Sequence, residues 1–171
     1  MMRTTRIRTI SRADINALAY QGIMPSECYP QLRSTIERHF DEEHASLLAE
    51  PVFNAREGFI DWYVAFEGPV TCYASLDSAG QKEACERFRK LASDIVLYAD
   101  ELICSGDAQK VTRGHLLKLA LRYPSDQDLF LVGDRVTATC WGYAPGTSGA
   151  QSAMLCDLRV REEAAQENVC V

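Results

Sequence analysis

The sequence predicts an α+β domain, on three observations. Helical and strand periodicities are grouped along the chain rather than alternating, the strand segments come as hairpins, and 47% hydrophobic content over 171 residues suffices for one core. A mostly antiparallel sheet of about five strands is expected, with four helices packed mainly on one face. Residues 1–10 read as a basic N-terminal arm, residues 11–161 as a single domain, and residues 162–171 as a polar flexible tail.

Residues 11–22 carry the signals of a first helix. Ser11 can cap it, Asp14 stands at the third helical position, Ile10 and Ile15 are spaced as a hydrophobic staple, and Gly22 suits the C-terminal stop. A longer helix is expected over 28–48, with Pro30 tolerated in its first turn and Leu32, Ile36, Phe40 and Leu47 forming its apolar stripe; Pro51 stops the run. The period then changes to two, because Ile60, Trp62, Val64 and Phe66 alternate with Phe59, Asp61, Tyr63 and Ala65. Glu67-Gly68 turns this strand into a second one over 70–73.

The strongest helical pattern starts near Ser78 and carries Ala84, Phe88, Leu91, Ile95, Tyr98 and Leu102 on one side. Ala92, Val96, Ala99 and Ile103 widen that stripe beyond a coiled-coil seam, so it predicts a core-facing helix. Another helix spans 108–122. A hairpin follows from Leu129-Phe130-Leu131-Val132, Gly133-Asp134 and the strand over 135–141. Gly first in a two-residue loop predicts a type II′ turn that pairs Val132 with Arg135 and Leu131 with Val136. Residues 142–152 read as a Gly/Pro/Ser loop and 154–161 as a last strand.

Composition excludes several functions. No apolar run approaches the ~18 to 20 residues of a membrane span, so no membrane insertion is expected. Eighteen basic against twenty-four acidic residues give a net charge of −6, although the first twelve residues hold four arginines and no acid. That arm is the only candidate nucleic-acid contact, and the acidic remainder argues against an extended nucleic-acid face. Seven cysteines without a Cys-x-x-Cys pair match neither a zinc site nor a secretory disulfide scaffold, which points to buried thiols and a cytoplasmic location.

The densest chemistry is His39-Phe40-Asp41-Glu42-Glu43-His44. Five helical positions place the two imidazoles about 140° apart, so they cannot chelate one ion together. Asp41 and His44 form at most half of a carboxylate-x-x-His element, and His115 has Thr112 where the second carboxylate belongs. No metal or other cofactor is expected. A small Cys-dependent or metal-dependent enzyme using His115 is the enzymatic alternative. With no nucleophile elbow or phosphate loop, the aromatic residues carry the remaining signal: Trp62, Tyr63, Phe130, Trp141 and Tyr143 are the candidate interaction residues. If helices cover the Leu131 face of the hairpin, the Trp141 face is either open to a partner or a second core layer.

Ala49-Glu50-Pro51-Val52, the Gly58-to-Tyr63 segment, Gly68, the long helix and Leu129-to-Asp134 leading to Trp141-Gly142 resemble a family of uncharacterised bacterial proteins found in Srf-type, virulence-associated multi-gene loci. The resemblance spans about residues 45 to 143 and brings no catalytic residues. It implies a cytoplasmic component of a larger system. Together with the absent catalytic signatures, this predicts a non-enzymatic interaction or scaffold protein with a protein partner or a second copy of itself.

Overall fold

A computed structural model of the chain describes residues 5–147 and 149–160, so Arg3 and the expected 162–171 tail lie outside the described residues. The chain opens with β1 (Thr5–Ser11), a 3-10 turn at Arg12–Asp14 and β2 (Ile15–Ala17). A second 3-10 turn at Pro25–Cys28 leads into α1 (Tyr29–His39), followed by the single turn α2 (Glu42–Ala45). Three strands come next: β3 (Glu50–Asn54), β4 (Phe59–Val64) and β5 (Val70–Cys72). The helices α3 (Ser78–Ile103) and α4 (Ala108–Ala120) follow, then β6 (Arg122–Tyr123), β7 (Leu129–Val132), β8 (Arg135–Ala138), β9 (Tyr143–Pro145) and β10 (Ala153–Met154). The fold is α+β.

The strands form four small antiparallel sheets rather than one sheet of five: β1-β4-β3, β5-β7-β8, β2-β9 and β6-β10. Leu47 to Ala49, on the way into β3, joins the two larger sheets, since Ala138 N–H donates to Leu47 O (2.7 Å) and Ala49 N–H to Ala138 O (3.1 Å). The predicted hairpin register holds, with Val132 opposite Arg135 and Leu131 opposite Val136. Gly133 has φ +64° while Asp134 keeps negative φ, as a type II′ loop requires. The 70–73 strand does form, but β5 pairs with β7 and not with the strand before it.

The expected first helix is replaced by strands. Ser11 does cap a turn, accepting from Ala13 N–H at 3.3 Å, and Gly22 does adopt positive φ, yet residues 11–22 contain only a 3-10 turn and β2. The arm of residues 1–10 is likewise structural from Thr5 onward, because β1 is an edge strand on β4. Arg8 forms an ion pair with Asp128, and the Arg12 guanidinium lies over the Phe53 ring at 5.5 Å. The helix expected over 28–48 ends at His39; Asp41 then restarts the chain by capping α2, accepting from His44 N–H at 2.8 Å. β3, expected only as a stop after Pro51, is a strand in which Pro51 is buried opposite Trp62. Of the last strand only Ala153–Met154 pairs, and a 3-10 turn follows.

The widest stripe behaves as predicted. Ala84, Phe88, Leu91, Ala92, Ile95, Ala99 and Leu102 of α3 are buried. α4 lies close against its end, where a β-carbon on Gly114 would fall 2.6 Å from Ala99 O, so only glycine permits this approach. One continuous core results, with Trp62, Trp141, Phe88, Leu32, Ile36 and Leu117 among its fully buried side chains.

Candidate functional site

The aromatic candidates separate by burial. Trp62 and Trp141 are both 0% exposed and Tyr143 is 5% exposed, while Tyr63 and Phe130 are half-buried. The Trp141 indole N–H donates to Ala49 O at 2.7 Å, and its ring meets Trp62 edge-on at 5.9 Å. Tyr143 packs edge-on against Trp62 at 6.4 Å and shares a 3.0 Å hydrogen bond with Ser26. Trp141 is therefore part of the core and not of an open surface, whereas Phe130, expected on the same face, is half-buried. Tyr29 of α1 packs on the Trp141 ring at 6.0 Å and Trp62 of β4 meets it edge-on, while Tyr143, on the Trp62 side, belongs to β9, which pairs with β2 and so with residues expected to be helical.

The enzymatic alternative turns on His115 and on the cysteines, of which Cys140 is buried and Cys104 is exposed. His115 is half-buried and stacks on Tyr20 with centroids 4.3 Å apart. Cys140 is fully buried at φ +54°; burial first, then the neighbouring Asp128 carboxylate, push its thiol far above the ordinary range. Among the described residues no group of three or more His, Cys, Asp or Glu is arranged to hold a metal ion.

The His39-to-His44 segment is where chemistry gathers, and the two imidazoles do diverge. His39, at the end of α1, stacks on Tyr98 of α3 at 3.6 Å and 14°. His44 turns inward, 8% exposed, and stacks on Phe40 at 4.5 Å. Phe40 in turn lies edge-on to Tyr98 at 5.8 Å, which links the four rings. Asp41 Oδ1 sits 2.7 Å from His44 Nδ1 and Asp94 Oδ2 sits 2.8 Å from His44 Nε2. Both ring nitrogens thus face carboxylates, which favours the imidazolium. Burial pulls the His44 pKa down, but the hydrogen bonds to Asp94 and then Asp41 outweigh it, and the net shift is upward. The His44 backbone N–H, followed by its side chain, holds the Asp41 carboxyl below the usual range.

A pH dependence follows. A histidine whose folded pKa is raised contributes stability that is complete below its ordinary value of about 6.5 and is lost as pH rises through the folded value. Asp41 contributes in the opposite sense: its share is present above about pH 4 and is lost on further acidification. Thermal unfolding should therefore show Tm falling from pH 6 toward pH 8, and His44→Gln should flatten that fall. A wild-type Tm that stays level over this range would contradict the assignment.

On the outer side of the ring cluster, α1, α3 and α4 enclose an open cleft of about 540 Å3. Arg38 and His39 come from α1, Tyr98 from α3 and Arg113 from α4, with Gln31, Ser34 and Thr35 along the wall. Positions 31, 34, 35 and 38 form one polar stripe at helical spacing, on the opposite side of α1 from the buried Leu32 and Ile36. Arg38 donates from Nε (3.2 Å) and Nη2 (2.8 Å) to Ser34 Oγ, an i,i+4 contact that holds the guanidinium along the cleft. No carboxylate lines this cleft, and neither Arg38 nor Arg113 has an acidic partner among the described residues. A second groove of about 660 Å3 adjoins it, sharing Pro30, Ser34 and Arg38. There the cation is balanced, since Arg33 Nε lies 3.7 Å from Glu37 Oε2 and Glu50 stands nearby.

The sequence reading singled out His39 and missed Arg38 and Arg113. The acid-free stripe 31, 34, 35, 38 was visible as a pattern, but nothing local connects it to a residue on α4. Comparison with protein-family models, curated proteins and solved structures found no match to this chain.

Proposed function

We propose that the protein is a non-enzymatic interaction module, a component of a larger multi-protein assembly, which recognises an anionic group of a protein partner through the cleft between α1, α3 and α4. The observation that carries this reading is a cleft lined by Arg38, His39 and Arg113, with no carboxylate among the described residues, on a chain of net charge −6. Cations left unneutralised on an acidic surface are a local exception to the field of the whole molecule, and they select for a small anionic feature rather than an extended acidic one. The volume lies within the range of roughly 300 to 1,000 Å3 found for ligand sites. The burial of Cys140 and the stacking of His115 on Tyr20 support the non-enzymatic part. Six described cysteines are free thiols, which supports the proposed cytoplasmic setting. The proposed bacterial, Srf-type context rests on the motifs between residues 45 and 143.

The test is fluorescence anisotropy with a labelled peptide that carries a single glutamate in an otherwise neutral sequence. Binding should weaken as salt is raised and should fall by about tenfold or more in Arg38→Ala/Arg113→Ala, because charge-assisted hydrogen bonds are worth about 1.5 to 3 kcal/mol each. Equal binding by the double variant and the wild type would sink the reading.

A further inference from the structure

We infer that the anion taken by this cleft is a phosphoryl group, carried on a phosphorylated serine or threonine of a partner protein. The inference rests on the functional reading above and makes it specific. Two arginines that bear no acidic partner among the described residues match a phosphate monoester, which carries about −1.5 to −2 charges at neutral pH; a single carboxylate would leave one of them unneutralised. The donors also match a tetrahedral group. Arg38 on α1 and Arg113 on α4 line the cleft from two different helices, with the Ser34 hydroxyl and the His39 ring on the wall, while the Thr35 hydroxyl donates to Gln31 O at 2.8 Å. Three phosphoryl oxygens can take donors from several directions at once, whereas a planar carboxylate is satisfied by one fork.

The surroundings choose the carrier. The cleft is open, and at Arg38 and Ser34 it continues into the second groove, so the site accepts a chain that runs on past the phosphorylated side chain. In that groove Glu37 and Glu50 would face any further phosphates. This repels a nucleic-acid backbone and tolerates a peptide with a single phosphate. Arg38 is partly preorganised by Ser34 Oγ, which reduces the ordering needed on binding.

The experiment titrates the full chain with three fluorescein-labelled peptides of one sequence, carrying phosphoserine, glutamate or serine at the central position. Unlabelled inorganic phosphate and a sugar phosphate serve as competitors, and each is also titrated alone by isothermal calorimetry. The phosphoserine peptide should bind about tenfold or more tightly than the glutamate peptide, and inorganic phosphate should displace it. Arg38→Ala and Arg113→Ala should each weaken it by about tenfold, whereas Arg89→Ala, which removes an exposed charge of α3 outside the cleft, should leave it unchanged. Circular dichroism of each variant keeps loss of binding distinct from loss of fold. Equal affinity for the phosphoserine and glutamate peptides overturns the phosphoryl assignment while the anion-binding reading stands. Binding of the sugar phosphate without binding of the phosphopeptide overturns the peptide carrier. Binding of none of these anions overturns both.

Discussion

Replacing Trp141 by alanine is expected to destabilise the fold by about 4 kcal/mol, the range for removing a large aromatic side chain from a packed core. For a domain of this size that corresponds to a fall in Tm of about 8 to 16 °C. The expectation follows from a ring that is 0% exposed, meets Trp62 edge-on, and gives its N–H to Ala49 O at 2.7 Å. Trp141→Phe isolates the polar part, since it keeps most of the volume but leaves the buried Ala49 carbonyl without its indole donor. Trp62→Phe is the control, because the Trp62 indole N–H has no protein partner among the described residues. The Trp141→Phe cost should exceed the Trp62→Phe cost by about 1 kcal/mol or more. The readouts are thermal and urea unfolding. A Trp141→Ala protein with wild-type Tm and weakened partner binding would restore the surface role that the sequence had suggested.

Of the two readings the sequence left open, partner surface and core layer, Trp141 falls to the core for a physical reason. The expected alternation put Trp141 on the face away from Leu131 and Val136, but β8 ends at Ala138 and Cys140 takes φ +54°, so the strand period does not carry through to Trp141. Whether the ring is covered depends on elements far away in the chain. Here Tyr29 of α1 and Trp62 of β4 supply the ring contacts, and the neighbouring Tyr143 is held in β9 by its pairing with β2, across more than a hundred residues. The residues of β2 sit between a serine that does cap a turn and a glycine that does take positive φ. Both local signals were correct, and the segment between them was still decided by pairing rather than by propensity. The β-branched residues Thr5, Ile7 and Thr9 were the available hint of a strand just before it.

The candidate site was legible in a similar, partial way. The angle expected between His39 and His44 assumed one helix, whereas the helix breaks at Phe40 and Asp41; across that break the two rings diverge, one onto Tyr98 and the other between two carboxylates. Asp94 could not be assigned to His44 from spacing, because a hydrogen bond across fifty residues leaves no periodic trace. The same limit hid Arg113 from Arg38. The long α3 helix was readable because its burial pattern repeats within one element, and the cleft was not because it is made where three elements meet.

Arg8 carries the second large effect, since it was expected in a solvated arm and instead supports a buried carboxylate. The Asp128 side chain is 3% exposed, and it forms its ion pair with Arg8 Nη1, which also donates to Gln127 O at 2.7 Å. Burial raises the Asp128 pKa, while Arg8 and then the Ser125 backbone N–H, 3.0 Å from Oδ2, pull it down. Removing the guanidinium leaves an uncompensated charge in the core, a change that costs about 3 to 5 kcal/mol. Arg8→Met, which keeps the aliphatic stem, should therefore lower stability by about that much at pH 7. The sign of its pH dependence is fixed. With Arg8 gone the folded Asp128 pKa rises further above its unfolded value, so the carboxyl accepts a proton on mild acidification and the loss shrinks as pH falls toward 4. Arg8→Met/Asp128→Asn should recover much of the loss at pH 7, because the neutral amide needs no cation and can still accept from Ser125 N–H. Urea unfolding of the three proteins at pH 4 and pH 7 checks the cycle. If Arg8→Met unfolds at the wild-type urea midpoint at pH 7, the ion pair is dispensable and β1 is held by its pairing with β4 alone.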